Sequence, residues 1–183
     1  MVISTKRNLT TAELITYRRN CVLDARAYTE LLFRVVLFAA AAWVLFTQVF
    51  LITQITGNEM FPAVKDGDLV FAYRLQDVYA KDDVVMFHLD GKLRIGRIAA
   101  RETDVVSIDE EGTLRVNGTV QSGEIVYPTY PREGVEYPYA VPDGHVFILA
   151  DYRTQATDSR DYGSVPLDDV QGKVITILRR RGL

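Results

Sequence analysis

From Val35 to Ile52 the chain reads Val-Val-Leu-Phe-Ala-Ala-Ala-Ala-Trp-Val-Leu-Phe-Thr-Gln-Val-Phe-Leu-Ile without one charged residue. A run of this length and polarity crosses the hydrocarbon of a bilayer as a helix, which satisfies every backbone polar group internally. A cleaved signal peptide fits less well, because the preceding region is long and apolar residues continue past Ala39–Ala42. A buried soluble helix would be shorter and would show a polar face. Before residue 35, Lys6, Arg7, Arg18, Arg19, Arg26 and Arg34 outnumber Glu13, Asp24 and Glu30. The positive-inside rule then predicts a cytoplasmic basic helix over 1–34, a single transmembrane helix over 35–53 and an extracytoplasmic domain over 54–183. Thr10 and Glu13 have capping-box spacing, and Leu14, Cys21, Ala25 and Leu32 fall near one helical face. Such a segment serves as an orienting stem, binds a partner or lies on the inner headgroups.

The 183 residues leave room for one domain beside the membrane segment. The net charge of −3 divides into a basic first segment and an acidic remainder. That remainder lacks the basic face needed to neutralise phosphates, so a nucleic-acid partner is excluded. Arg179-Arg180-Arg181 reads as a solvated tail, or as a contact to anionic membrane lipid. Cys21 is the single cysteine, so no disulfide staples the fold. His88 and His145 stand apart, which gives no metal-ligand spacing and no expected cofactor.

After residue 53 the pattern becomes that of strands. Leu69–Tyr73, Val84–Phe87 and His145–Leu149 are short runs rich in β-branched and aromatic residues, and Asp90-Gly91 and Asn117-Gly118 are two-residue hairpin signals. The expected domain is mainly antiparallel β. Gln121–Pro142, with four prolines and Tyr127, Tyr130, Tyr137 and Tyr139, reads as irregular surface whose tyrosines pack loops or form a peptide-docking rim.

The segment Asp151–Gly163 crowds two arginines and three aspartates between apolar strands, a fixed polar scaffold. Its Asp151, Arg153, Asp158, Ser159, Arg160 and Gly163 resemble the signal peptidase I signature Gly-Asp-Asn-Arg-x-x-Ser-x-Asp-Ser-Arg-x-x-Gly. Gly57-Asn58-Glu59-Met60-Phe61-Pro62 is similar to the family's Gly-x-Ser-Met-x-Pro, Gly67-Asp68-Leu69-Val70 to its Gly-Asp-x-Val strand, and Arg97-Ile98 followed by Asp104 to the segment after its lysine. The likeness runs through residues 30–178 in the family's order. It implies two antiparallel sheets, a catalytic-like core and a small cap inserted at about 105–142, behind an N-terminal transmembrane helix.

Carried over by position, the family's nucleophilic serine falls on Glu59, its basic lysine on Gly96, and the loop serine beside that pair on Ala156. A Ser-Lys dyad works when a desolvated amine takes the proton of a hydroxyl. Gly96 cannot take a proton, and the Glu59 carboxylate adds negative charge where an oxyanion would develop. The expectation is a pseudoenzyme, with Asn58, Glu59, Met60, Pro62, Arg94, Gly96 and Ala156 around a peptide groove. Asp151, Arg153, Asp158, Ser159, Arg160 and Gly163 then serve as a structural loop, with Asp158 paired to Arg160. Lys92 lies roughly 13 Å along an extended strand from position 96. Arg94 is nearer, and is expected to reach into the space beside Gly96 and pair with Glu59.

Among proteins that resemble signal peptidases without the dyad, the likeness is to the accessory proteins of Gram-positive pilus loci. That resemblance implies a chaperone or scaffold for pilin polymerisation, with pilin subunits and a pilus sortase as partners. Two other readings are a membrane-bound peptidase in which Glu59 and a second carboxylate, Asp151 or Asp158, activate water, and a subunit that brackets membrane proteins through its helices alone.

Overall fold

The computed structural model describes residues 11–121, 125 and 127–179. Thr10 of the expected capping box, the side chains of Leu14 and Cys21, and Arg180 and Arg181 of the basic tail lie outside the described residues. The chain divides into two units, 1–45 and 46–183.

In the first unit α1 (Thr11–Val44) is a continuous helix. Ala25–Val49, which takes in a π-helical turn at Leu45–Val49, has a mean hydropathy of 1.9 and is long and apolar enough to cross a membrane. Leu32, Phe38 and Trp43 stand exposed along it, as lipid-facing residues do. Glu30 and Arg34, one turn apart, form an ion pair at 2.8 Å. The helical stretch stops at Val49, short of Ile52. Phe50-Leu51-Ile52-Thr53-Gln54 instead forms β1, because its aromatic and β-branched residues pair in register with Leu69–Tyr73.

In the second unit the strands are β1 (Phe50–Gln54), β2 (Leu69–Tyr73), β3 (Val84–Leu89), β4 (Lys92–Arg101), β5 (Val105–Ile108), β6 (Leu114–Val116), β7 (Thr119–Val120), β8 (Tyr139–Ala140), β9 (His145–Leu149), β10 (Val165–Pro166) and β11 (Val170–Leu178), with the short helix α2 (Ser159–Tyr162) before β10. Among the described residues they make a larger sheet in the order β1-β2-β11-β3-β4-β9-β10 and a smaller one in the order β7-β6-β5-β8. Every pairing is antiparallel. The mainly β class and the three strands read from the sequence are thus present. The β3–β4 and β6–β7 hairpins turn at Asp90-Gly91 and Asn117-Gly118, where all four residues have positive φ. This is the backbone that a two-residue hairpin of matching twist needs.

β9 explains how the layers meet. Its Val146 and Ile148 pack with Val85, Phe87 and Ile98 on one face, while Phe147 and Leu149 pack on the other with Val106, Leu114 and Val116 of the small sheet. A strand buried on both faces carries a continuous apolar run, which is why it was legible. Each fully buried side chain of this kind contributes about 2 kcal/mol through burial. A third cluster gathers Ile55, Met60, Val64, Val70, Met86 and Ile95 under the segment after β1.

The stretch 121–142 departs from the surface-loop expectation. Thr129 and Val135 are buried, and Gly134 lies so close to the Asp161 carbonyl that a Cβ there would overlap it. Its polar groups are met by partners: Arg160 donates to the Tyr130 carbonyl, Arg153 to Thr129 Oγ1, and the Thr129 amide to the Gly112 carbonyl. The tyrosines pack loops: Tyr127 meets Tyr152 with ring centroids 4.8 Å apart, and Tyr139 meets Phe147 at 5.5 Å.

Candidate functional site

The loop Asp151–Gly163 is built around one buried ion pair. Asp158 Oδ1 accepts from Arg160 Nε at 2.8 Å and Oδ2 from Arg160 Nη2 at 2.9 Å, a bidentate fork with both residues nearly inaccessible to water. Desolvating two charges is costly, and the pair persists because its remaining valences are filled. Asp158 also accepts from the Ala150 and Arg160 amides. Arg160 donates to the carbonyls of Arg153 and Tyr130. Asp158 is the N-cap of α2, and the Asp161 carboxylate returns to the Asp158 amide at 3.0 Å, closing a capping box. Ser159 Oγ accepts from the Ile148 amide at 2.9 Å, which ties the loop to β9. Gly163 ends the helix at φ +84°, where a side chain would be strained.

Three further arginines extend the brace. Arg153 is buried and donates to Thr129 Oγ1 at 2.7 Å, and its Nε has no partner among the described residues. Burial pulls its guanidinium down to about 10, opposed by the charges of Asp158 and Asp151, so it remains a cation at neutral pH. Arg132 meets Asp161 at 2.6 Å. Asp151 takes a second fork from Arg97 of β4, at 2.8 and 2.7 Å. Both loop carboxylates proposed as partners for Glu59 in water activation are therefore committed to arginines.

The Glu59 segment is held by its main chain. The Tyr152 amide donates to the Glu59 carbonyl at 2.9 Å, the Gly57 amide to Asp66 Oδ1 at 2.8 Å, and the Asp66 amide to Asn58 Oδ1 at 3.3 Å. Met60 is buried in the third apolar cluster, whereas Asn58 and Pro62 are exposed. The Glu59 side chain is half-buried and lines a cleft of about 420 Å³. The buried Ile55, Met86 and Ile95 line it, as do Lys92 and Arg94 of β4 with Glu59.

Gly96 is buried one strand-step beyond. A Cβ at this position would overlap Ile148 Cγ2 and stand 3.4 Å from Phe87 Cε1. The room that an amine-bearing side chain would use is occupied by apolar side chains from β9 and β3. This corrects the expected Glu59–Arg94 pair. Both line the cleft, but among the described residues no ion pair joins them, and the space beside Gly96 through which Arg94 was to reach is filled. Ala156 is also buried, its amide bonded to the Tyr152 carbonyl at 3.1 Å.

Tyr162 was not singled out from the sequence. Its ring packs with the Ile148 cluster, and its phenol is held well above its ordinary range, first by burial and then by the Asp158 charge. Arg94 opposes that shift and Glu59 reinforces it, so this hydroxyl feels both charges of the cleft. A phenol kept protonated is a poor base. A tyrosine in a loop carries no sequence signal beyond packing, and only the turn of α2 brings it here. Among the described residues no group of His, Cys, Asp and Glu is arranged to hold a metal ion.

The signal peptidase, peptidase S26, family model matches residues 28–178. Probable thylakoidal processing peptidase 2, chloroplastic, of Arabidopsis thaliana is 31% identical over 137 residues, covering 66% of this chain and 36% of that protein. Signal peptidase I of Bacillus caldolyticus is 26% identical over 136 residues, covering 66% of this chain and 74% of that protein. Against the two thylakoidal peptidases of Arabidopsis thaliana the match spans only 39% and 36% of their length. A solved signal peptidase I from Enterococcus faecalis V583 superposes with a TM-score of 0.46 at 24% identity, over 55% of this chain and 98% of that one.

Proposed function

The chain belongs to the signal peptidase family, peptidase S26, and we propose that within it this protein is a non-catalytic, membrane-anchored member that holds extended polypeptide without cutting it. The reading is supported by one observation: at Gly96, which the motif resemblance aligns with the family's lysine, Ile148 fills the space into which a side chain would project. With Glu59 at the serine position there is neither a hydroxyl to attack nor an amine to activate it. Loss of such a pair costs on the order of a millionfold in rate in a serine protease where it has been measured.

What remains suits binding. β4 pairs with β3 from Lys92 to Arg97, but its pairing with β9 begins only at Arg97. The backbone of Lys92–Gly96 therefore presents an open edge beside the cleft, and an extended segment gains main-chain hydrogen bonds by adding to it. The apolar helix suits a membrane anchor, and the basic residues before it support an extracytoplasmic domain by the positive-inside rule. By its resemblance to the accessory proteins of Gram-positive pilus loci, the bound polypeptide is a pilin subunit, held for a pilus sortase.

The test has two parts. Full-length protein in detergent, incubated with a preprotein, leaves it uncleaved; cleavage that vanishes in Glu59→Ala overturns the reading. A photoreactive residue at Thr56 in living cells crosslinks to a pilin or the sortase, and crosslinks to lipid alone remove the assembly role.

A further inference from the structure

We infer that the cleft selects extended segments carrying acidic side chains at alternate positions, in place of small apolar ones. This rests on the reading of the cleft as a polypeptide groove and adds what the groove prefers. Lys92 and Arg94 lie two residues apart on β4, so their side chains leave the same face of the strand about 7 Å from one another. Neither joins an ion pair or a side-chain hydrogen bond among the described residues. A segment added to the open edge has the same two-residue period, so its alternate side chains fall opposite these two cations.

Ile55, Met86 and Ile95 also line the cleft, but Ile95 and its partner Met86 leave the face of the sheet opposite to that of Lys92 and Arg94. A ligand with small apolar side chains would cover two cations and supply nothing to pair with them, which is unfavourable. Carboxylates at those positions supply charge-assisted bonds in a partly dry groove. Glu59 also lines the cleft, half-buried and without an ion-pair partner among the described residues. The ligand side chain beside it is a cation or a neutral donor, since a third carboxylate would be repelled. The groove thus reads charge as well as strand geometry.

The experiment measures fluorescence anisotropy of labelled, β-prone decapeptides against the full chain in detergent. The peptides carry Glu, Gln, Ala or Lys at two alternate positions. The glutamate peptide binds more tightly than the glutamine peptide, by about threefold for each charge, and the gap closes as salt rises. Lys92→Gln removes about half of that preference, Lys92→Glu/Arg94→Glu reverses it in favour of the lysine peptide, and Glu59→Gln strengthens binding of the glutamate peptide. Because the Lys92 side chain makes no ion pair or hydrogen bond among the described residues, its variant keeps the parent's unfolding midpoint. Equal binding of all peptides, weakened in every case by an obstructing Thr56→Trp, overturns the charge preference and leaves the groove standing. Binding of none, or binding indifferent to every cleft variant, overturns the groove reading itself.

Discussion

The loop Asp151–Gly163 and the cleft at Glu59 are joined by the hydrogen bond from the Tyr152 amide to the Glu59 carbonyl, yet they are built on opposite principles. In the loop every carboxylate meets an arginine or a backbone amide, and Asp158 and Arg160 are exposed by only 2% and 1%. In the cleft Glu59, Lys92 and Arg94 face open space without ion-pair partners among the described residues. Buried polar groups with all valences filled specify a backbone path, whereas polar groups left wet and unpaired are available to something else. The difference separates architecture from recognition: the loop is braced by a buried ion pair, while the charged side chains of the cleft are left without ion-pair partners among the described residues.

Breaking the brace gives the largest effect. Asp158→Ala leaves Arg160 buried without its counter-charge and lowers stability by about 3–5 kcal/mol, read from urea unfolding in detergent. A loss below about 1 kcal/mol would place the loop with the exposed ion pairs and erase the contrast.

A lysine at position 96, the proposed counterpart of the family's lysine, strikes the boundary between the two regions. Gly96→Lys pushes against Ile148 and costs about 1–3 kcal/mol by overpacking. Combined with Glu59→Ser it yields no cleavage of a preprotein, because the new amine has no room to approach the hydroxyl. Turnover by that double variant would show the cleft to be closer to an enzyme than its packing indicates.

Alkaline titration separates buried from open polar groups more gently. Burial pushes the Tyr137 phenol up to about 12, and Tyr162 and Tyr79 are raised for the same first cause. A phenol whose folded value is raised contributes stability that is complete below its unfolded value of about 10 and is lost as pH climbs toward the folded one. Between pH 10 and about 11.5, Tyr137 alone removes about 1–2 kcal/mol. Comparison with Tyr137→Phe isolates this share from Arg153, whose downward shift has the opposite sign. An identical pH profile in the phenylalanine variant would contradict the assignment.

The smallest effect belongs to the cleft itself. Glu59→Ala and Arg94→Ala each change stability by less than about 0.5 kcal/mol, since neither charge is paired. A drop above about 1 kcal/mol in either would mean that the cleft is braced like the loop.

Local features were legible before any fold was known. The brace announces itself because its charges sit within one short segment, and the Asp90-Gly91 and Asn117-Gly118 turns because their positive φ is a property of those residues. The docking of 121–142 was not legible: prolines and tyrosines mark a loop, but not that Arg160 and Arg153 reach Tyr130 and Thr129 from thirty and twenty-four residues away in sequence. The missing Glu59–Arg94 pair was misread for a related reason. Strand alternation correctly put Arg94 and Gly96 on one face, but only the β4–β9 register, with Ile98 opposite Ile148, reveals what already fills that face.

By itself the order of residues determined that this chain carries an apolar helix, a mainly β domain and a salt-linked loop. All of these are matters of residue type, short spacing or period. Tertiary structure alone decided that the space beside Gly96 is packed shut, that Tyr162 shares the charges of the cleft, and that the first half of β4 keeps an open edge. Those outcomes depend on which strands become neighbours and in what register, and register is settled by the collective burial of the whole sheet rather than by any segment within it.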